Sequence, residues 1–180
     1  MKRAVFLDRD GTLNIECSYL SDPAKLTLFP DVIPSLKRLR DRDFLLFIVT
    51  NQSGIGRGYY SLEDMHAVNS KLVAITQQEG IHIEEIYFAP EAPEDPSYGR
   101  KPSPQFLLDA AQAYDIDLGR SFMVGDKLSD VQCGWNAKVQ TSILLKTGYG
   151  QKVIDEAKVD LSQAIIADTL GAATDYIIAN

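Results

Sequence analysis

The segment that most constrains this chain is Ala4-Val5-Phe6-Leu7-Asp8-Arg9-Asp10-Gly11-Thr12-Leu13. A short apolar run passes directly into two aspartates one residue apart. Apolar runs of this length read as buried strands. A buried strand should not end in unpartnered carboxylates, because uncompensated charge is costly to bury. Alternate side chains of an extended segment share a face, so Asp8 and Asp10 can aim at one spot, and something cationic belongs there. Gly11 then permits a backbone turn that other residues resist. A solvated turn at a strand end would explain either aspartate alone. It explains Asp-x-Asp-Gly-Thr after an apolar strand poorly.

The rest of the chain repeats the theme. Asn14 to Leu28 reads as a loop or short excursion over the strand ends. Asp31 starts a helix with Pro34 in its first turn, and its basic side, Lys37, Arg38, Arg40 and Arg42, reads as a solvated face. Phe44 to Val49 is a second apolar run, buried on both sides as in parallel sheets. It ends in Thr50-Asn51-Gln52-Ser53-Gly54-Ile55-Gly56-Arg57-Gly58. A helix from Ser61 to about Glu79 follows, capped by Ser61, with Leu62, Met65, Leu72, Val73 and Ile75 as its apolar stripe. Further strands are expected at Ile83 to Ala89, Ser121 to Val124, Thr141 to Leu145 and Ala164 to Ala167. Helices are expected from Ser103-Pro104 to Tyr114, up to about Ala137, and from Asp168. Alternating strands and helices predict an α/β fold, a Rossmann-like parallel sheet with helices on both faces, built as a single domain over residues 1–180. Ligands of such sheets bind outside the carboxyl ends of the strands. Polar clusters follow the strands there: Asp8/Asp10, Thr50/Asn51, Arg100/Lys101 after a loop, and Asp126/Asp130.

Composition narrows the classes. Hydrophobic residues make up 45% and charged residues 24% of 180 residues, an ordinary globular balance. The formal net charge of −7 disfavours non-specific nucleic-acid binding, which needs a basic face. It also means that an anionic substrate must find a local positive patch. No apolar run approaches membrane-spanning length. The run behind Met1-Lys2-Arg3 is too short for a signal peptide, so a cytoplasmic monomer with no membrane or nucleic-acid partner is expected. Cys17 and Cys133 form no framework and have no metal spacing, and both read as reduced thiols. His66 and His82 read as surface residues.

Taken in order, Asp8-Arg9-Asp10-Gly11-Thr12, Thr50-Asn51, Lys101, and Gly125-Asp126 with Asp130 resemble the four motifs of the haloacid dehalogenase superfamily of phosphohydrolases. The resemblance spans roughly residues 4 to 150 and implies that fold, and the short inserts here are in keeping with the subgroup that lacks a large cap domain. Phosphate-monoester hydrolysis is among the slowest uncatalysed reactions. It needs a nucleophile, a proton donor for the leaving oxygen and positive charge around the transferring group. The resemblance makes Asp8 the nucleophile, forming an aspartyl-phosphate, and Asp10 the general acid and then base. Two anions accept a third only with a counter-charge. Mg²⁺, a hard cation that takes carboxylates, phosphate oxygens and water, meets that need, with Asp126 the best third ligand. Thr50 and Asn51 offer a hydroxyl, an amide and backbone N–H groups to phosphoryl oxygens, and Lys101 offers a point charge. Arg100 has the fork for a second anionic group. Lys127 contributes charge or pairs with Asp130. The Gly54-x-Gly56-x-Gly58 run follows the wrong strand for a dinucleotide fingerprint and reads as a flexible loop near the site, with Arg57 a minor candidate for ligand contact.

More closely, Phe6 to Asn14, Thr50 to Gly58, Arg100-Lys101-Pro102 and Val124 to Lys127 are similar to the branch of heptose-bisphosphate and histidinol phosphatases. That likeness places Mg²⁺ on Asp8, the Asp10 carbonyl and Asp126. It sets Thr50 and Lys101 on the phosphoryl group and Arg100 on the substrate. It also puts Glu16 to Tyr19 and the stretch through Gln52 and Ser53 against a small phosphorylated substrate. Relatives carry a zinc loop of Cys and His before the Arg-Lys pair. The aligned positions, Ala89, Glu91, Ser97 and Gly99, supply neither residue, so no structural zinc is expected. A sugar bisphosphate is the leading substrate class, and histidinol phosphate or another small phosphate ester the runner-up. A phospho-accepting signalling module is the non-enzymatic alternative, against which Asp10 argues. A nucleotide-binding oxidoreductase is disfavoured by the misplaced glycines.

Overall fold

The computed structural model describes residues 1–156 and 159–180. Six strands form one parallel sheet: β1 (Arg3–Leu7), β2 (Phe44–Asn51), β3 (Glu85–Ala89), β4 (Phe122–Gly125), β5 (Thr141–Leu145) and β6 (Ala164–Ala167). Their spatial order is β3-β2-β1-β4-β5-β6, with every neighbouring pair parallel. The order reverses direction at β1, and β1 with its neighbour β4 carries the acidic ends. A switch point of this kind is where open α/β sheets bind ligands.

Alternation along the strands sorts the core into two layers. Val5, Leu7, Leu46, Ile48, Phe122 and Val124 face one side. There they pack with α1 (Val32–Arg40), α2 (Leu62–Gln78) and α6 (Leu170–Ala179). Ala4, Phe6, Phe47, Val49 and Met123 face the other, against α3 (Gln105–Tyr114) and α4 (Leu128–Ala137). The sheet is therefore covered on both faces, as its unbroken apolar strands require.

Local signals act as expected at most element ends. Ser61 caps α2 in a reciprocal pair: Asp64 N donates to Ser61 Oγ at 3.1 Å and Ser61 N donates to Asp64 Oδ2 at 2.9 Å. Leu62, expected in the apolar stripe of α2, is exposed, and Val68, Asn69 and Thr76 are buried instead. Asp31 precedes α1 but caps a different helix: its Oδ2 accepts from Gly171 N at 2.7 Å, tying α6 to α1. One helix, α5 (Gly150–Glu156), was not expected from the sequence. Its apolar residues are too few to make a periodic stripe, and of its residues only Gly150 is buried. Residues 14–28 return over the strand ends, closed by a bridge between Asn14 and Leu28 and by Lys71 Nζ donating to Pro23 O at 2.7 Å. Among the described residues no helix is long and apolar enough to cross a membrane.

Candidate active site

The carboxyl ends of β1, β2 and β4 and the loop before α3 converge on one crevice. Asp8 sits one residue past β1, and its N–H donates to Val124 O at 2.9 Å, which seats it against β4. Asp126 follows β4 directly. Asp8, Asp126 and Asp130 are all buried, and oxygen atoms of the three lie within 4.8 Å of one another.

Lys101 supplies the charge that makes this burial tolerable. Its Nζ lies 2.8 Å from Asp8 Oδ1 and 2.7 Å from Asp130 Oδ1, and donates to Val49 O at 2.6 Å. Asn51 brings it there by clasping its backbone: Asn51 Nδ2 donates to Lys101 O at 3.1 Å, and Lys101 N donates to Asn51 Oδ1 at 3.0 Å. Lys127 is the second cation. Its Nζ lies 3.6 Å from Glu16, 3.7 Å from Asp126 and 3.9 Å from Asp8, and 5.2 Å from the centre of the Tyr149 ring.

The electrostatics follow from this packing. Burial alone would push the Asp8 carboxyl up, but Lys101 and Lys127 outweigh it and hold Asp8 below the usual carboxylate range. Asp126 is pushed up to about 7, first by burial and then by repulsion from Asp8. Asp130 is also raised, by burial, against the pull of Lys101. Burial favours the neutral form of Lys101, yet Asp130 and Asp8 raise it overall, so the ammonium is firmly charged. Burial raises Glu16, and Lys127 partly offsets this.

The three carboxylates are not equivalent towards a metal. Asp130 is committed: it pairs with Lys101, and its Oδ2 accepts from Lys127 N at 2.9 Å. Asp126 Oδ2 accepts from Tyr149 N at 2.8 Å, while its Oδ1 is buried with no hydrogen-bond partner among the described residues. Gly11 and Gly148, both with positive φ, line the other side of Asp126, and a Cβ on either would meet its carboxylate. Oxygen donors, an open buried carboxylate atom and backbone kept clear around it fit a hard divalent cation. The Asp10 side chain is not part of this cluster. Arg9, Gln52 and Asn14 hold it.

The HAD-hydrolase-like family model matches residues 98–173. The D-glycero-beta-D-manno-heptose-1,7-bisphosphate 7-phosphatase of Helicobacter pylori strain J99 is 41% identical over 144 residues, covering 79% of this chain and 83% of that one. The D-glycero-D-manno-heptose-1,7-bisphosphate 7-phosphatase of Thermosynechococcus vestitus is 37% identical, covering 97% of this chain and 94% of that one. The chain belongs to the haloacid dehalogenase-like phosphatases. The crystal structure of D,D-heptose 1,7-bisphosphate phosphatase from B. bronchiseptica, in complex with magnesium and phosphate, superposes with a TM-score of 0.90. It is 28% identical and covers 98% of both chains. With these relatives the chain shares the activity class of a phosphoric monoester hydrolase.

Against that family the expected site residues divide into groups. Asp8, Asp10, Thr50, Asn51, Lys101 and Lys127 line the inner crevice together with Ser129 and Asp130. Glu16, Tyr19 and Ser53 line the adjoining outer cleft of about 270 Å³ with Tyr60 and Tyr149, a size suited to a small molecule. Three expectations gain detail. The Asn51 amide, expected on phosphoryl oxygens, lines both cavities and also holds the Lys101 backbone with one N–H and its Oδ1. Of the two roles open to Lys127, its side chain takes the first, charge beside Asp8, Asp126 and Glu16, while Lys101 is the lysine whose side chain pairs with Asp130. Gln52 borders the outer cleft, but its side chain is buried and bonded to Arg9, Asp10, Thr50 and Tyr60.

Arg57 and Arg100 line neither cavity. Arg57 is exposed, 4.0 Å from Glu94, and Arg100 donates to Glu91 O at 3.2 Å. At the positions aligned with zinc ligands, Ser97 Oγ donates to Glu91 Oε2 at 2.7 Å and accepts from Arg100 N at 3.1 Å. Ser129, Tyr60 and Tyr149 were missed in the sequence. Tyr149 carried a signal, since it lies between Gly148 and Gly150 just beyond β5, as the other clusters lie beyond their strands.

Proposed function

We propose that this chain removes one phosphate from a small sugar bisphosphate, D-glycero-D-manno-heptose 1,7-bisphosphate, at the C7 position. The relatives that carry that activity in their names support the substrate. The observation that carries the chemistry is that Asp8 stands between a lysine and a second carboxylate: Lys101 Nζ lies 2.8 Å from its Oδ1, and an oxygen of the buried Asp126 lies within 4.8 Å of one of its oxygens.

Asp8 attacks phosphorus through a carboxylate oxygen, and the bond from phosphorus to the sugar oxygen breaks. Asp10 gives its proton to that leaving oxygen. Water then attacks the aspartyl-phosphate while Asp10 takes a proton from it, and phosphate departs with Asp8 restored. Lys101 stays charged throughout and neutralises the phosphoryl oxygens as a point charge, with the Thr50 hydroxyl beside it. The low proton affinity of Asp8 keeps it nucleophilic. Asp8, Asp126 and the Asp10 carbonyl would hold Mg²⁺, which when bound screens the negative charge of the nucleophile and the phosphate. Lys127, Glu16, Tyr19, Ser53 and Tyr149 form the walls of the outer cleft where the rest of the sugar lies. Arg57 and Arg100 stand on the neighbouring loops as candidates for the distal phosphate.

A panel of heptose bisphosphate, histidinol phosphate and simple sugar phosphates, compared by kcat/KM with Mg²⁺ and with EDTA, tests the assignment. The heptose bisphosphate is expected to lead, and all activity to vanish with EDTA. Preference for histidinol phosphate would overturn the substrate, and full activity in EDTA would overturn the metal.

A further inference from the structure

Asp10 is gripped from three directions. Arg9 Nη2 and Gln52 Nε2 each donate to its Oδ2 at 2.8 Å, and Asn14 Nδ2 donates to its Oδ1 at 3.0 Å. The two donors on Oδ2 are themselves fixed. Arg9 is fully buried, and its Nη1 donates to Asn69 Oδ1, on α2, at 2.9 Å. Gln52 is 2% exposed; its Oε1 accepts from Arg9 Nη2 at 3.1 Å and from Tyr60 Oη at 2.5 Å. Its Nε2 also donates to Thr50 Oγ1 at 2.8 Å. Both N–H groups and both lone-pair sites of the Gln52 amide are therefore in use. Arg9 is fully buried and, unlike the more exposed Arg57 and Arg100, has no surface from which to reach a ligand outside the two cavities, neither of which it lines. A buried guanidinium is costly unless it is well paired, and Asp10 is its ion-pair partner.

We propose that Arg9 and Gln52 are positioning residues for proton transfer: they hold Asp10 by Oδ2 and leave Oδ1 as the oxygen that gives and takes the proton. The inference rests on Asp10 being the general acid and base. A carboxylate oxygen has two lone pairs. Oδ2 receives two donors and is full, whereas Oδ1 receives one and keeps a lone pair open. A proton on Oδ1 passes to the ester oxygen as the phosphorus–oxygen bond breaks. Oδ1 then takes a proton from the water whose oxygen bonds to phosphorus as the Asp8 ester bond breaks. Without its two outer donors the carboxylate turns about its own axis, and the proton is no longer aimed at the leaving oxygen.

The test compares two esters in the Mg²⁺-loaded enzyme. A sugar phosphate leaves as an alkoxide and needs the proton. p-Nitrophenyl phosphate leaves as a stable phenolate and scarcely needs it. The ratio kcat/KM covers only the steps through cleavage of the ester, so it reads the acid role. Gln52→Leu and Arg9→Lys are expected to lower kcat/KM for the sugar phosphate about 10- to 100-fold, and for the aryl ester less than about 3-fold. Tyr60→Phe, which removes one hydroxyl at Gln52 Oε1, should show the same selectivity in smaller degree. Because Tyr60 also lines the outer cleft, that selectivity should disappear when the change is made in Asp10→Asn, and its persistence there would assign it to sugar contact and overturn the positioning role. Tyr60→Phe provides the measurement should the buried variants not fold. Asp10→Asn is the reference: it should discriminate between the esters more strongly, and adding Gln52→Leu to it should cost nothing further. Equal losses on both esters, or no loss on either, would overturn the positioning role while Asp10→Asn still discriminates. If Asp10→Asn itself does not discriminate, the acid–base assignment fails, and the positioning role with it.

Discussion

Lys101 reaches across 93 residues of chain to place its ammonium 2.8 Å from Asp8 and, on its other side, 2.7 Å from Asp130. All three are buried. One positive charge between two carboxylates is a bridge whose removal leaves like charges facing each other away from water.

Lys101→Met should therefore damage stability and activity together. Breaking a buried ion pair from one side costs about 3–5 kcal/mol, and losing a charge aimed at the transition state costs about 10²–10³ in kcat. Chemical denaturation and steady-state kinetics check this. A variant as stable as the parent would mean that the pair of carboxylates is relieved in some other way.

Gly148 is a site residue by virtue of what it lacks. It has φ of +53°, and a Cβ there would meet the Asp126 carboxylate and lie 2.8 Å from Gly11 Cα. Gly148→Ala should weaken Mg²⁺ binding, measured by calorimetry, with little loss of secondary structure by circular dichroism. Unchanged Mg²⁺ affinity would show that Asp126 has room to move.

Mg²⁺ stabilisation should depend on pH in one direction. Asp126 is raised from 3.8 to about 7. In the metal-free protein it keeps a proton that the unfolded chain releases. Its contribution to stability is full below 3.8 and is lost as pH rises to about 7. A metal must displace that proton, so Mg²⁺ binds more weakly below about pH 7. Asp8, lowered by Lys101 and Lys127 against its burial, gives up its own contribution only at pH values below this window. The rise in Tm on adding Mg²⁺ should accordingly be larger at about pH 8 than at about pH 5.5. An equal rise at both would remove Asp126 from the metal site.

Much of this arrangement was legible in the chain because it follows from the sheet. Unbroken apolar strands require cover on both faces, and their polar ends must meet where the strand order reverses. Asp8, Thr50 and Asp126 come directly from that rule. Lys101 stands on a loop, where an isolated lysine reads as solvated, so it was legible only through the family resemblance; the clasp by Asn51 is what holds its backbone at the site. The role of the Gln52 side chain was misread for a related reason. An amide beside a strand end has donors and acceptors for either substrate or protein, and sequence does not say which partner is closer. Helix α5 escaped notice because little of it is buried, so hydrophobic periodicity leaves no trace.

The central claim is that Asp8 becomes phosphorylated during turnover. Asp10→Asn removes the base that activates water, and with p-nitrophenyl phosphate, which scarcely needs an acid, it should let the phosphoryl group reach Asp8 and stay. Acid quench followed by peptide mass spectrometry should then find one added phosphoryl group on the peptide containing Asp8, and none when Asp8→Asn is combined with Asp10→Asn. A phosphoryl group on another residue, or undiminished phosphate release from Asp8→Asn, would contradict the account.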